Sequence, residues 1–258
     1  MDLDLKGRTV LITGGSKGIG RAAAEGFAAE GCNLHLVART EEQLEAAKEE
    51  LQTAHGVQVA VHPMDLSQPG AVDQLIQASP DADILVNNAG AIPGGNLDAI
   101  EEERWREAWD LKVFGYINMT REYYRRMRER GGGVIVNVIG MAGERPDAGY
   151  VAGSAGNASL MAFTRAVGSR SLDDGIRVTA INPGLVETER AATLLQTRAE
   201  MQFGDRERWR EFYEPLPLGR AAKAQEVADL VVFLASARAG YISGTVYTID
   251  GGASGRSG

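Results

Sequence analysis

The sequence predicts one α/β domain, a doubly wound parallel sheet of about seven strands with helices on both faces. Three observations carry that expectation. Short β-branched and apolar runs alternate with longer helical segments along the whole chain, with no break in composition and no internal repeat. Several of these runs are apolar throughout, as strands covered by helices on both sides must be. The first run ends in a glycine-rich turn that opens into an alanine-rich segment.

Val10-Leu11-Ile12 is too short for a buried helix and stops at glycines, so it reads as the first strand. Gly14, Gly18 and Gly20 follow; glycine takes backbone angles closed to other residues and lets a phosphate approach the main chain. A helix beginning at about Gly18 would aim its unpaired N–H groups and positive dipole end at that phosphate. A tight turn without a ligand is the other reading, and the strand before and helix after favour a nucleotide. The spacing is Gly-x-x-x-Gly-x-Gly, not the Gly-x-Gly-x-x-Gly of the general dinucleotide fingerprint. Cys32–Arg39 holds the second strand. Glu41–Thr53 is helical, with Leu44, Ala47 and Leu51 on an inward stripe. Val57–Val61 is the third strand, Ala71–Ala78 a helix, and Ile84–Gly90 the fourth strand and its exit. Glu101–Arg130 reads as one long helix stopped by Gly131-Gly132-Gly133, before a fifth strand at Val134–Val138. A helix from about Tyr150 to Asp173 and a sixth strand at Arg177–Asn182 come next. A long polar and aromatic excursion, a helix near Ala224–Ala235 and a last strand at Thr245–Ile249 complete the chain. In open sheets of this kind ligands bind beyond the carboxyl ends of the strands, which collects Gly14–Gly20, Arg39, Asp65, Asn87–Gly90, Gly140 and Pro183-Gly184.

Composition narrows the function. With 258 residues and 44% hydrophobic content the chain buries a large core. A net charge of −8 argues against a nucleic-acid surface or a basic membrane face. No apolar run approaches the roughly 20 residues of a membrane span. Met1–Lys6 has neither the basic start nor the apolar core of a signal peptide. The single Cys32 makes no internal disulfide and fits a reducing compartment. His35, His55 and His62 lack ligand-like spacing, so no metal is expected. The expectation is a soluble, cytoplasmic protein acting on a small molecule.

Taken together the motifs resemble those of the short-chain dehydrogenase/reductase family over the whole length. Thr13–Gly20 resembles its glycine turn and Asn87-Asn88-Ala89-Gly90 its post-strand motif. Asn182–Thr188 resembles its nicotinamide loop; Leu218-Gly219-Arg220 and Ile242–Gly252 resemble its C-terminal signature. The resemblance implies a Rossmann-type dinucleotide-binding catalytic domain spanning 1–258. It assigns the pyrophosphate to Gly14, Ser16, Lys17, Gly18, Ile19 and Gly20, and the adenine to Asp65 and Leu66. The adenosine-side ribose and strand end fall to Asn87, Ala89 and Gly90, and the nicotinamide end to Pro183, Gly184 and Thr188. A helix cap for Asp65 and a turn stabiliser for Asn87-Asn88 are the plainer readings. NAD-binding folds of this type end the second strand in an acid. Here Ala38 and Arg39 stand there, with Lys17 in the turn, which suits a 2′-phosphate and prefers NADP(H), with NAD(H) as the alternative.

The catalytic set departs from the family's serine, tyrosine, lysine and asparagine. Tyr150 supplies a phenol that can give a proton to a carbonyl oxygen. Ser154 stands where the lysine is expected, Gly140 where the serine is, and Lys112 where the asparagine is; the loop before Tyr150 is about three residues shorter than the family pattern. Lys112 has two readings: it replaces the missing lysine from the other side of the site, or it snorkels to the helix surface. The expected activity is reduction of a ketone or aldehyde, with the reverse alcohol oxidation less favoured. The competing account is an NADP(H)-binding protein without redox turnover, a sensor or partner subunit. Glu189–Pro217 is expected to be a substrate lid whose aromatics cover substrate, anchor the lid or meet a neighbouring subunit. The resemblance also implies a homotetramer or homodimer packed through the two long helices, with Gly153, Ser154, Ala155, Gly156 and Ala158 allowing close approach.

Overall fold

The computed structural model describes residues 1–256. Seven parallel strands form one sheet: β1 (Thr9–Thr13), β2 (Asn33–Ala38), β3 (Val59–Pro63), β4 (Ile84–Asn87), β5 (Gly133–Val138), β6 (Ile176–Pro183) and, last in the chain, Val246–Ile249. The order across the sheet is β3-β2-β1-β4-β5-β6 and then that last strand. Crossing from β3 back through β1 and out to β4 reverses the winding between β1 and β4, which opens a crevice at their carboxyl ends. The apolar triplets account for the centre: Val10, Leu11, Ile12, Leu85 and Val86 are all fully buried. A two-stranded piece, β7 (Val186–Glu187) with β8 (Ala222–Lys223), lies outside this sheet, and the last strand is therefore β9.

Helices α1 (Gly18–Ala29), α2 (Glu41–His55) and α8 (Ala224–Ala235) cover one face. On the other lie α3 (Ala71–Ala78), α4 (Glu102–Trp109), α5 (Gly115–Glu129) and α6 (Val151–Gly168). The long helix expected at Glu101–Arg130 is interrupted. Asp110–Phe114 forms a π-helical turn, an extra residue that side-chain periodicity does not announce. The excursion at 189–217 is also more ordered than expected. It holds α7 (Glu189–Phe203) and a 3₁₀ segment, Arg206–Tyr213, pinned around buried Leu195, Ala199 and Trp209. Phe203 stacks on Phe212, and Trp209 meets Tyr213 edge-on, so these aromatics anchor the segment to itself. Of the small residues expected at a subunit interface, Gly153, Ser154 and Gly156 are buried within the chain, and only Ala155 and Ala158 are exposed. Among the described residues no helix is long and apolar enough to cross a membrane, and no cluster of metal-ligating side chains occurs.

Candidate active site

The glycine turn is built by close contacts that a side chain would block. A Cβ on Gly20 would sit 2.2 Å from the Gly14 carbonyl oxygen, and one on Gly14 2.8 Å from Asn88 Nδ2. Gly14 and Gly18 have φ of +69° and +56°, which glycine adopts without strain. Asn88 fastens the turn to β4: its Nδ2 donates to the carbonyls of Thr13 and Gly14. The N–H groups of Asn88 and Ala89 both donate to Thr13 Oγ1. α1 begins at Gly18, and the Lys17 before it caps no N–H with its side chain, so the first N–H groups of the helix are free for an anion. That cradle fits a dinucleotide pyrophosphate.

The other expected cofactor residues divide. Ser16 and Ile19 lie partly buried in the turn, and Arg39 is exposed at the end of β2. Asp65 accepts from the N–H and hydroxyl of Ser67. Burial would raise its carboxyl, but those bonds and the nearby Arg39 outweigh it and hold the group below the usual carboxylate range. Leu66 is buried beneath it. Pro183 and Gly184 close β6, where a Cβ on Gly184 would meet Asp250 at 2.8 Å. Thr188 caps α7 through its Oγ1 and stands over Gly18. Lys17 pairs with Glu189 at 2.7 Å. Asn87 is built differently from its neighbours. Its side chain is fully buried, with Nδ2 donating to Asn137 Oδ1 (2.9 Å) and Thr120 Oγ1 (3.2 Å), so the side chain ties β4 to β5 and α5.

Lys112 points inward. The π turn aims its stem across Gly90, where a Cβ would come within 2.7 Å of Lys112 Cδ, and Nζ donates to the Ile139 carbonyl at 2.6 Å. The ammonium is deeply enclosed while the side chain keeps some exposed surface. Burial, assisted by the Arg190 charge, brings its pKa down to about 7. Tyr150 stands at the start of α6 and packs with Ile92, Ile100, Trp105 and Trp109. Its ring folds forward over the helix: a Cβ on Gly153 would lie 2.0 Å from Tyr150 Cε1 and 2.1 Å from Cζ. The ring thus reaches three residues onward into space that only a glycine leaves open. Burial pushes the phenol above its ordinary pKa, with Arg190 pulling the other way.

Ser154 is not placed like a lysine substitute. Its Oγ accepts from the Asp147 N–H at 3.0 Å and so holds the preceding loop. Facing the site instead is Asn157, a residue the sequence reading passed over. It is 2% exposed, its Nδ2 donates to the Gly140 carbonyl at 3.3 Å, and its Oδ1 has no partner among the described residues. Gly140 has φ +138°, and a Cβ there would crowd Asn157 Nδ2 at 3.0 Å. A buried amide in the apolar register of Leu160, Met161 and Thr164 was the available signal. Arg190 was likewise missed: its guanidinium donates to the carbonyls of Gly90 and Ile92 (2.7 Å to the latter).

The short chain dehydrogenase family model matches residues 8–199. The chain belongs to the short-chain dehydrogenase family. Within it, the 3-oxoacyl-acyl-carrier-protein reductase FabG of Aquifex aeolicus is 31% identical over 98% of this chain and 99% of its own. The acetoacetyl-CoA reductase of Rhizobium meliloti is 33% identical over 95% of this chain and 98% of its own. Among solved structures, the L-sorbose reductase of Gluconobacter frateurii, complexed with NADPH and L-sorbose, superposes with a TM-score of 0.89. It is 34% identical, covering 97% of this chain and 98% of that one.

Proposed function

We propose that the chain is an NADP(H)-dependent oxidoreductase that reduces a ketone or aldehyde, with Tyr150 and Lys112 handling the proton. The observation that carries this reading is Lys112, drawn off the helix surface by the π turn and laid along Gly90 at the carboxyl edge of the sheet. A lysine kept near its titration point in such a place is more than a solvated charge. Family membership and the likeness to an NADPH-bound reductase support the cofactor. So do the uncapped start of α1 and the absence of an acid at the end of β2.

The turn Gly14–Gly20 would hold the pyrophosphate, Lys17 and Arg39 the 2′-phosphate, Asp65 and Leu66 the adenine, and Ala89 and Gly90 a ribose. Pro183, Gly184 and Thr188 would hold the nicotinamide end. Bound there, the cofactor supplies hydride. Tyr150, kept neutral by burial, gives its proton to the carbonyl oxygen. Lys112 can replace that proton. Asn157 Oδ1 is an acceptor in want of a donor and can orient a hydroxyl or water beside Gly140. Alcohol oxidation needs phenolate, which the raised phenol disfavours, so turnover at pH 7 runs toward reduction. The segment 189–217 acts as the lid, and the reading extends to a cytoplasmic homotetramer or homodimer.

One observation favours the second reading, a nucleotide-binding protein without turnover: no described residue hydrogen-bonds the Tyr150 hydroxyl. Loss of NADPH absorbance with a panel of ketones and aldehydes separates the two. Tyr150→Phe is expected to lower turnover by about 100-fold, with NADPH binding unchanged. Gly153→Ala, which displaces the ring without touching the hydroxyl, should act in the same direction. NADPH binding with no oxidation by any carbonyl compound would leave only the second reading, and full activity in Lys112→Ala would remove Lys112 from the mechanism.

A further inference from the structure

Five of the arginines in and around the lid differ in what holds them. Arg208 pairs with Glu211, Arg206 is taken by Gln196, and Arg198 and Arg210 lie over the rings of Phe212 and Trp209. Arg190 alone is turned into the sheet edge, and its partners are two neutral carbonyls, Gly90 and Ile92. A guanidinium has five N–H groups. Two are used here, and the side chain remains open to solvent on its outer side.

Lys112 meets the same residue: its stem lies across Gly90, whose carbonyl Arg190 binds. Tyr150 packs in the cluster of Ile92, whose carbonyl is Arg190's second acceptor. Lys112 likewise bonds a carbonyl rather than an acid. The neighbouring acid on α7, Glu189, is turned away to Lys17. A chain of net charge −8 has therefore placed a guanidinium and a titrating lysine against one residue, with no carboxylate paired to either among the described residues. Uncompensated cations at a crevice attract an anion, and a guanidinium fork matches the two oxygens of a carboxylate.

We propose that the substrate is anionic, a carbonyl compound bearing a carboxylate that Arg190 receives, with Lys112 beside it. This rests on the reading of the site as a carbonyl-reducing centre and adds the class of compound. It also gives α7 a role in choosing the substrate, since Arg190 lies one residue into that helix.

The test compares keto acids with their neutral esters. The NADPH-loaded protein is titrated with acetoacetate and with 2-oxobutanoate, and separately with the methyl ester of each; binding is followed by NADPH fluorescence and turnover by absorbance. At least one acid is expected to bind ten times or more tighter than its ester. Raising sodium chloride should weaken the acid and spare the ester. In Arg190→Met the preference should fall to within about twofold, and Arg190→Lys should recover part of it. Esters that bind or react as well as the acids overturn the proposal and leave carbonyl reduction standing, as does a preference that survives Arg190→Met. Acids that bind in an Arg190-dependent way without oxidising NADPH uphold the anion site and overturn reduction instead. Failure of all four compounds to bind overturns the proposal. The salt series on the unaltered protein decides the matter if Arg190→Met does not fold.

Discussion

Lys112 is an ammonium held by one carbonyl and crowded by a second cation, and that arrangement has a cost in stability. Its pKa is lowered by burial to about 7 from an ordinary value of 10.5. Between those two pH values the unfolded chain binds a proton that the folded chain does not. Stability from this group therefore rises with pH across that window and is lowest below pH 7. Lys112→Met, similar in length and uncharged, should be the more stable protein at pH 7, by on the order of 2–4 kcal/mol. The gap to the native chain should narrow by pH 10, as urea unfolding at the two pH values would show. An equal gap at both would mean the lysine is not buried as described. The sequence left Lys112 undecided because a lysine on a helix snorkels by default, and its direction here comes from a π turn. Tyr150 was legible as a phenol at a helix start, but the reach of its ring over Gly153 was not. Nor was the consequence that Asn157, rather than Ser154, faces Gly140.

Among the elements, those with strong local signals fell where expected: α3 and α8 match the helices read at Ala71–Ala78 and Ala224–Ala235, α2 carries the inward stripe of Leu44, Ala47 and Leu51, and the seven strands follow the apolar runs. Two elements were illegible for different reasons. The π turn adds a residue to a helix without changing its composition. The 189–217 segment mixes arginines and glutamates with aromatics, and its helical period is masked because the aromatics pack on each other instead of the main core. The edge strand β3 supplies a further test. His62 stacks on His35 of β2 with ring nitrogens 2.9 Å apart, and burial lowers the pKa of both. With folded values below the unfolded one near 6.5, the pair contributes stability above that pH, and the contribution is lost as the pH falls through the folded values. Replacing His62 with Asn should remove part of this acid sensitivity. Between pH 7 and pH 5 the melting temperature of the native chain should fall a few degrees further than that of His62→Asn. Parallel melting curves at both pH values would count against the pair.

At the scale of the whole molecule, three consecutive residues at the start of α7 bridge the crevice that the sheet opens. Thr188 stands over Gly18, Glu189 pairs with Lys17, and Arg190 reaches Gly90 and Ile92 across the exit of β4. The start of α7 is thus joined to the glycine turn and to the exit of β4 by contacts about 100 to 170 residues apart in sequence, for which no local pattern could have argued. The Lys17–Glu189 pair is exposed on both sides, so it adds little to stability. With the cofactor placed as proposed, its effect would fall on binding instead: Lys17 could not serve Glu189 and a 2′-phosphate with full strength at once, and the Glu189 carboxylate would repel a pyrophosphate held in the same turn. Glu189→Gln should therefore tighten NADPH by about two- to fivefold at low salt, with a smaller gain for NADH, which lacks the 2′-phosphate. The gain should shrink as ionic strength rises, because the pair lies in solvent. Titrating both cofactors at two salt concentrations measures all three effects. Equal gains for NADPH and NADH would place the benefit at the pyrophosphate and leave the 2′-phosphate to Arg39. No gain for either would mean that Glu189 leaves Lys17 before the cofactor arrives.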